Sequence, residues 1–249
     1  MENGLDLSSI DLTLPTVAEN LALDEALLLN AENSPFRIQG VLRFWEAPDF
    51  AVVLGASRRL AQDVHLEACH ADLVPIFRRT SGGGTVVIGP GALNVTVVLP
   101  ETAAPGLRAV ATAQEFVLQK IAFALGTSGR LVEVRGLGDL TIGGRKFGGS
   151  AQRRIRDWFL VHCSVLYDFP LERISRYLAS PSRQPAYRAG RTHDEFLMNL
   201  GLPRKILLDL IRAAWSSVCQ LSPTPDVLRP LLDQLLAERF ANRAWIERL

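Results

Sequence analysis

The sequence predicts an α+β fold, a mixed β-sheet with flanking helices, ending in a mainly helical portion from about residue 171. Three observations carry this expectation. Strand-like and helix-like segments follow one another irregularly, which argues against a doubly wound parallel sheet. Residues 93–99 alternate strictly, with Leu93, Val95, Val97 and Leu99 on one face and Asn94 and Thr96 on the other. Residues 109–125 set Ala113, Phe116, Val117, Ile121, Ala124 and Leu125 along one helical stripe.

The remaining elements follow in chain order. Residues 16–30 read as a first helix, with Val17, Leu21, Ala22, Leu28 and Leu29 near helical spacing and Glu19, Asn20, Asp24 and Glu25 at polar positions. Residues 42–45 and 51–54 are short apolar runs separated by Pro48 and Asp49, which reads as two strands and a turn. A short helix is expected over 59–70. Residues 75–79 form a strand that runs into Ser81-Gly82-Gly83-Gly84, and residues 85–88 form the next, ended by Gly89-Pro90-Gly91. Residues 131–134 read as a strand. Residues 139–142 and 145–147 flank Gly143-Gly144, a two-residue hairpin turn of the kind that needs positive φ. Residues 159–167 make a further strand. Beyond Leu171, residues 204–219 and 226–240 read as helices, and the linker around Pro223 and Pro225 is too short to separate domains. Residues 1–249 are therefore expected to form a single domain.

A chain of 249 residues buries enough apolar surface to need no disulfide or metal staple. Cys69, Cys163 and Cys219 are odd in number and share no metal-type spacing, which fits a reduced, cytoplasmic protein. The net charge of +1 gives no electrostatic case for nucleic acid. No run approaches ~18 uninterrupted apolar residues, so no membrane span is expected. The polar start of the chain does not read as a signal peptide.

Two stretches carry chemistry. The first is Arg78-Arg79-Thr80-Ser81-Gly82-Gly83-Gly84-Thr85. Adjacent glycines let backbone N–H groups converge into an anion-binding nest, and the two arginines add planar donors suited to carboxylate or phosphate. It is neither a Walker A loop nor a Rossmann fingerprint. Read alone, it is equally well a flexible turn with two surface arginines. The second runs from Asp139 to Gln152 and sets Lys146 between a tight hairpin and Gly148-Gly149-Ser150. A lysine held among backbone N–H groups neutralises charge that builds on a phosphoryl or acyl centre, although an isolated lysine is more often simply solvated. His162 reads either as a hydrogen-bonded core histidine or as an active-site orienter. The basic loop 181–191, with Arg183, Arg188 and Arg191, reads as a solvated loop or as a contact for phosphates or an acidic partner. The four tryptophans read as packing.

Together the two stretches resemble the lipoate-protein ligase A family. There an Arg-Arg-x-Ser-Gly-Gly-Gly turn is followed, some tens of residues on, by Asp-Leu, a hairpin, a lysine and Gly-Ser-Ala. Here these are residues 78–84, Asp139-Leu140, Lys146 and Gly149-Ser150-Ala151. Residues 20–25 resemble the family's first helix and residues 161–166 its His-His-Gly-Thr-Leu-Leu strand, so the resemblance spans about 16–200. The chain departs from the pattern at Gly138, where the family has Asn before the Asp, which removes a side-chain amide that could bind the adenylate or its metal. Cys163 and Ser164 depart from the later strand. Only about fifty residues follow residue 200, too few for the accessory domain of the larger ligases, so an accessory subunit joins the expected partners.

The resemblance implies the fold shared by biotin ligases, lipoate ligases and class II aminoacyl-tRNA synthetase cores. It also implies the reaction. Lipoate's carboxylate attacks the α-phosphate of ATP to give lipoyl-AMP and pyrophosphate, and an acceptor lysine then attacks the mixed anhydride. By the same resemblance, Arg79, Ser81, Gly82, Gly83, Gly84, Thr85, Val86, Val87 and Lys146 contact ATP or lipoyl-AMP. Arg79, Gly83, Lys146, Gly149, Ser150 and His162 contact lipoate. Lys146 and Asp139 are the catalytic pair, with Asp139 placing Mg2+ or the incoming lysine. The acceptor is a lipoyl-domain protein, such as a 2-oxoacid dehydrogenase E2 or a glycine cleavage H protein. Two alternatives stand beside this reading. One is an octanoyl or lipoyl transferase, whose relatives carry the acyl group on a cysteine just before the hairpin Asp or in a Pro-Cys-Gly turn after the later strand. Residues 134–138 and 168–200 contain no cysteine, and Cys163 lies on a strand expected to be buried. The other is a lipoyl-binding partner subunit that is not an enzyme.

Overall fold

Strand-forming runs supply β1 (Ser8–Asp11), β2 (Val41–Glu46), β3 (Ala51–Leu54), β4 (Ile76–Arg78), β5 (Val86–Ile88), β6 (Ala92–Pro100), β7 (Glu133–Arg135), β8 (Asp139–Ile142), β9 (Arg145–Ile155), β10 (Trp158–Leu166) and β11 (Cys219–Gln220). Helices α1 (Val17–Asn30), α2 (Leu60–Asp63), α3 (Leu66–Ala71), α4 (Val110–Gly126), α5 (Glu172–Tyr177), α6 (His193–Phe196), α7 (Arg204–Ala213), α8 (Pro225–Leu235) and α9 (Arg243–Ile246) are interspersed. The computed structural model describes residues 5, 7–31, 40–181, 183–215, 219–220 and 225–249. Eight strands form one sheet in the order β11-β1-β2-β6-β10-β9-β8-β7, and β4-β3-β5 form a second. The large sheet is antiparallel from β2 to β7, while β1 runs parallel to both of its neighbours.

Alternation sorts the large sheet into two faces. Leu93, Val95, Val97 and Leu99 of β6 join Phe159, Val161, Cys163 and Val165 of β10 in the main core, packed under α4 and α7. The opposite face carries Val98 and Leu160 against Leu28 of α1. It also turns Thr96 toward α1, where its hydroxyl donates to Asp24. The small sheet lies on this side: Val53 and Ile88 pack with α1, and Val52, Leu54 and Val87 pack with helices α3, α5 and α6.

Helix α1 starts at a capping box. Thr16 accepts from Glu19 N, and the Glu19 carboxylate accepts from Thr16 N at 3.0 Å. Its buried face is polar at one spot. Arg43, fully buried on β2, donates to Asp24 Oδ1 at 2.5 Å, to Asn20 Oδ1 at 2.6 Å and to two backbone carbonyls. Asp24 Oδ2 also accepts from Trp45 Nε1 at 3.1 Å and Thr96 Oγ1 at 2.9 Å. One carboxylate thus fixes side chains on β2 and β6 against α1.

Four expectations are adjusted. Residues 59–70 form two short helices rather than one, because Val64 bridges to Leu178 and His65 N donates to Tyr177 O, which breaks the helical ladder. The strand expected at 131–134 is shifted to Glu133–Arg135. Strand β9 runs on through the glycines to Ile155, since β8 and β10 pair it on both sides. The helix expected over 204–219 ends at Ala213, where Trp215 turns into the core, and Cys219 lies on β11; residues 216–218 lie outside the described residues. Helix is common after Leu171, in short pieces, with a 3-10 turn at Ala186–Arg188 between α5 and α6. Among the described residues, no helix is long and apolar enough to cross a membrane.

Removing one partner of a buried ion pair strands the other charge. Asp24→Ala should therefore lower unfolding free energy by about 3–5 kcal/mol in denaturant titration, and Asp24→Leu combined with Arg43→Met should recover most of it. A loss below ~1 kcal/mol in the single variant would show that the pair is not holding α1 to the sheet.

Candidate active site

Between the two sheets lies a cavity of about 720 Å³, within the size range of small-molecule sites. Leu21, Trp45, Val53, Ile88 and Leu166 give it an apolar wall. Its polar groups come mainly from five places: α1, the glycine-rich loop after β4, the β8–β9 hairpin, β10 and the loop 181–193.

The hairpin supplies Lys146 and Asp139. Thr141 pairs with Lys146 across the ladder, with Gly143 and Gly144 both at positive φ in the turn. Lys146 Nζ lies 2.6 Å from Asp139 Oδ1, and Tyr187 Oη donates to Asp139 Oδ2 at 2.7 Å. Burial, then the contact with Asp139, pushes the Tyr187 phenol well above its ordinary pKa. A Cβ at Gly149 would stand 2.7 Å from Lys146 Nζ and 2.9 Å from its Cε, so a larger residue there would displace the flexible end of the lysine. Gly138 takes φ +129, and a Cβ there would meet Gln114 Nε2 at 2.3 Å and Ser150 Oγ at 2.4 Å. The Gln114 amide of α4 occupies that place, donating to Leu137 O at 3.0 Å and Ser150 Oγ at 2.8 Å.

The glycine-rich loop is organised by its arginine. Arg79 is buried and donates to Gly82 O at 2.6 Å, Gly84 O at 2.7 Å, Val53 O and Ser81 Oγ. Desolvation draws its pKa down to about 10. The convergence seen here is of carbonyls on a guanidinium, where the sequence suggested N–H groups on an anion. Arg78 does not line the cavity. It is fully buried and holds the carbonyls of Gly55, Arg58 and Ile246. Ser81 Oγ, which accepts from Arg79 Nε, is hydrogen-bonded to His162 Nε2 at 2.7 Å. Burial, reinforced by Arg79, depresses the His162 pKa to about 3, so the ring is neutral. A small adjoining cavity of about 20 Å³, beside Glu25, Ser81 and His162, has room for about one water.

Of the residues singled out from the sequence, Arg79, Gly83, Gly84, Thr85, Val86, Val87, Asp139, Lys146, Gly149, Ser150 and His162 line the one cavity. Ser81 lines the small one, and Gly82 reaches neither but holds Arg79 through its carbonyl. Magnesium held by protein alone does not fit here. Both oxygens of Asp139 are engaged, and the described residues contain no group of three His, Cys, Asp or Glu able to hold a metal.

The profile of the lipoyl protein ligase A/B catalytic domain matches residues 16–201. The chain belongs to this family. A probable lipoate-protein ligase A of Mycoplasma genitalium is 29% identical over 159 residues, which is 64% of this chain and 45% of that one. The chain thus spans about half the length of such ligase relatives. Octanoyltransferase LipM of Carboxydothermus hydrogenoformans is 27% identical and matches along both chains, 93% of this one and 94% of that one. A bi-partite lipoate protein ligase of Thermoplasma acidophilum, solved in a study with its E2 lipoyl domain, superposes with a TM-score of 0.83 at 18% identity, covering 98% of this chain and 96% of that one. The fold is that of the lipoate-protein ligases.

This lipoyl ligase A/B domain also carries site residues that motif reading passed over. Asn94 is buried with its Nδ2 unpartnered among the described residues, while its Oδ1 accepts from Ser164 Oγ at 2.7 Å, and both residues line the cavity. A polar residue inside the strict alternation of β6 was the available signal. Arg58 clamps Asp63, which also accepts from Thr85 Oγ1, at another part of the cavity wall. Burial would raise the Asp63 carboxyl, but these bonds outweigh it and hold the group below its ordinary range. Nothing in the local sequence around Arg58 announces this contact.

The depressed His162 pKa has a consequence for stability. Above the unfolded pKa near 6.5 the neutral ring costs nothing; as pH falls toward about 3 the unfolded chain takes up a proton that the native site refuses. Wild type should lose stability relative to His162→Gln through this window, with a slope of up to ~1.4 kcal/mol per pH unit. Denaturation curves at pH 7, 5.5 and 4 check this, and parallel behaviour of the two proteins would contradict the buried neutral ring.

Proposed function

We propose that the chain is an ATP-dependent lipoate-protein ligase, which forms lipoyl-AMP and transfers the lipoyl group to a lysine of a lipoyl-domain acceptor. The observation that carries this reading is the Lys146–Asp139 pair. It is set in a cavity whose lining carboxylates are all engaged and whose buried Arg79 and Arg188 have no carboxylate partner among the described residues. Such a cavity favours anions. The apolar wall takes the acyl chain. Lys146 lies between the acyl carboxylate and the α-phosphate, where a fixed cation stabilises the charge that develops as one carboxylate oxygen bonds to phosphorus and pyrophosphate leaves. Asp139 holds Lys146 in place. The acceptor's lysine nitrogen, once deprotonated, attacks the acyl carbon and releases AMP.

The full-length likeness to an octanoyltransferase favours a second reading, carrier-to-carrier acyl transfer through a thioester. The cysteines argue against it. Cys163 faces the core beneath α4, and burial pushes its thiol up to about 12. Cys69 is buried on α3, away from the cavity. The Cys219 side chain lies outside the described residues. For the partners, support comes from the Thermoplasma protein, a bi-partite ligase studied together with its E2 lipoyl domain. The acceptor here is accordingly an E2, an H protein or a similar carrier.

Lipoate-dependent exchange of labelled pyrophosphate into ATP tests the reading. Wild type should catalyse exchange, Cys163→Ala should retain it, and Lys146→Ala should lose on the order of a hundredfold or more with its fold intact by circular dichroism. Acyl transfer from an octanoylated carrier without ATP, and no exchange, would replace the ligase with the transferase.

A further inference from the structure

Four arginines are buried among the described residues: Arg43, Arg78, Arg79 and Arg188. Three have dense partners. Arg43 pairs with Asp24, and Arg78 and Arg79 each hold several carbonyls. Arg188 differs. It is 4% exposed and lines the cavity, yet among the described residues its side chain makes one hydrogen bond, from Nε to Arg191 O at 2.9 Å, and its buried Nη2 has no partner. Its Cζ lies 4.8 Å from the centroid of the Phe196 ring. The acid that acts on it is Asp139, whose oxygens are already taken by Lys146 and Tyr187.

The loop that carries Arg188 is tied down. Arg191 donates to Gly144 O at 3.0 Å, to Tyr187 O at 2.9 Å and to Arg188 O at 3.0 Å. Tyr187 is in turn bonded to Asp139. The guanidinium is therefore held in register with the hairpin that bears Lys146. A buried cation without a counter-charge is costly, and burial indeed draws the Arg188 pKa down, with Asp139 opposing. A ligand that brings its own negative charge removes that cost. A guanidinium fork matches phosphate oxygens in pairs.

We propose that Arg188 is a receptor for the phosphate chain of the nucleotide, facing it from the loop 181–191 while Lys146 faces the α-phosphate. The assignment rests on the ligase reading and deepens it. Phosphate is the better match than the acid's carboxylate. A single carboxylate is matched by Lys146 alone, whereas a triphosphate needs a second cation, and Arg183 on the same loop also lines the cavity.

Isothermal titration of the full chain with ATP, inorganic pyrophosphate, adenosine and lipoate tests this, using wild type, Arg188→Gln and Arg188→Lys. Arg188→Gln should weaken ATP and pyrophosphate by on the order of ten- to a hundredfold, leaving adenosine and lipoate unchanged. Arg188→Lys, which keeps the charge but loses the fork, should fall between, and it carries the test if the Gln variant does not fold. Unchanged ATP affinity in both variants, or an equal loss for adenosine and lipoate, overturns the assignment while leaving the ligase reading in place. Wild type that binds neither ATP nor pyrophosphate removes both.

Discussion

The alternation of side chains along β10 is the constraint on which the site depends. Val161, Cys163 and Val165 enter the main core, and His162, Ser164 and Leu166 between and beyond them enter the cavity. Because β6 and β9 pair with β10 residue for residue, the same sorting passes to both neighbours. His162 sits across from Thr96 and Ala151, and Ser164 across from Asn94 and Gly149. A register slip of one residue would bury the polar set and expose the apolar one. The hydrophobic core under α4 and α7 therefore holds the site's floor in register as a by-product of its own packing.

On that floor, the electrostatics are settled before any ligand arrives. Asp24 is engaged by Arg43, Trp45 and Thr96, Asp63 by Arg58 and Thr85, and Asp139 by Lys146 and Tyr187. Arg79 spends its donors on the loop that it shapes. What remains is a positive balance with few free donors, which suits substrates that are themselves anions and meets them with fixed rather than reorganising charges. The two cysteines whose side chains are described, by contrast, are placed where cysteine acts as a small hydrophobe.

Long periodic elements and glycine-marked turns were legible in the sequence. The α4 stripe, the β6 alternation and the Gly143-Gly144 hairpin all appear where their spacing put them. The break at Val64 was not legible, because a bridge to Leu178, distant in sequence, decides it. For the site, the two motifs located much of the lining, since each is contiguous in sequence. What escaped were residues joined only by the fold. Tyr187 on Asp139, Gln114 in the space beside Gly138, and the Asn94–Ser164 pair each link distant segments. Arg79 lines the cavity and its donors hold backbone carbonyls, since a guanidinium suited to phosphate is equally suited to a cluster of carbonyls.

In the proposed function, one cavity between the sheets receives both the acid and the nucleotide, with Lys146 where they meet. The most direct measurement is the affinity of a non-hydrolysable lipoyl-sulfamoyl adenosine, which joins the two pieces in the geometry of the acyl adenylate. Binding should be on the order of a thousandfold tighter than that of lipoate or ATP alone. An affinity no better than that of lipoate would mean that the cavity has no place for the nucleotide, which contradicts a shared acyl-adenylate site.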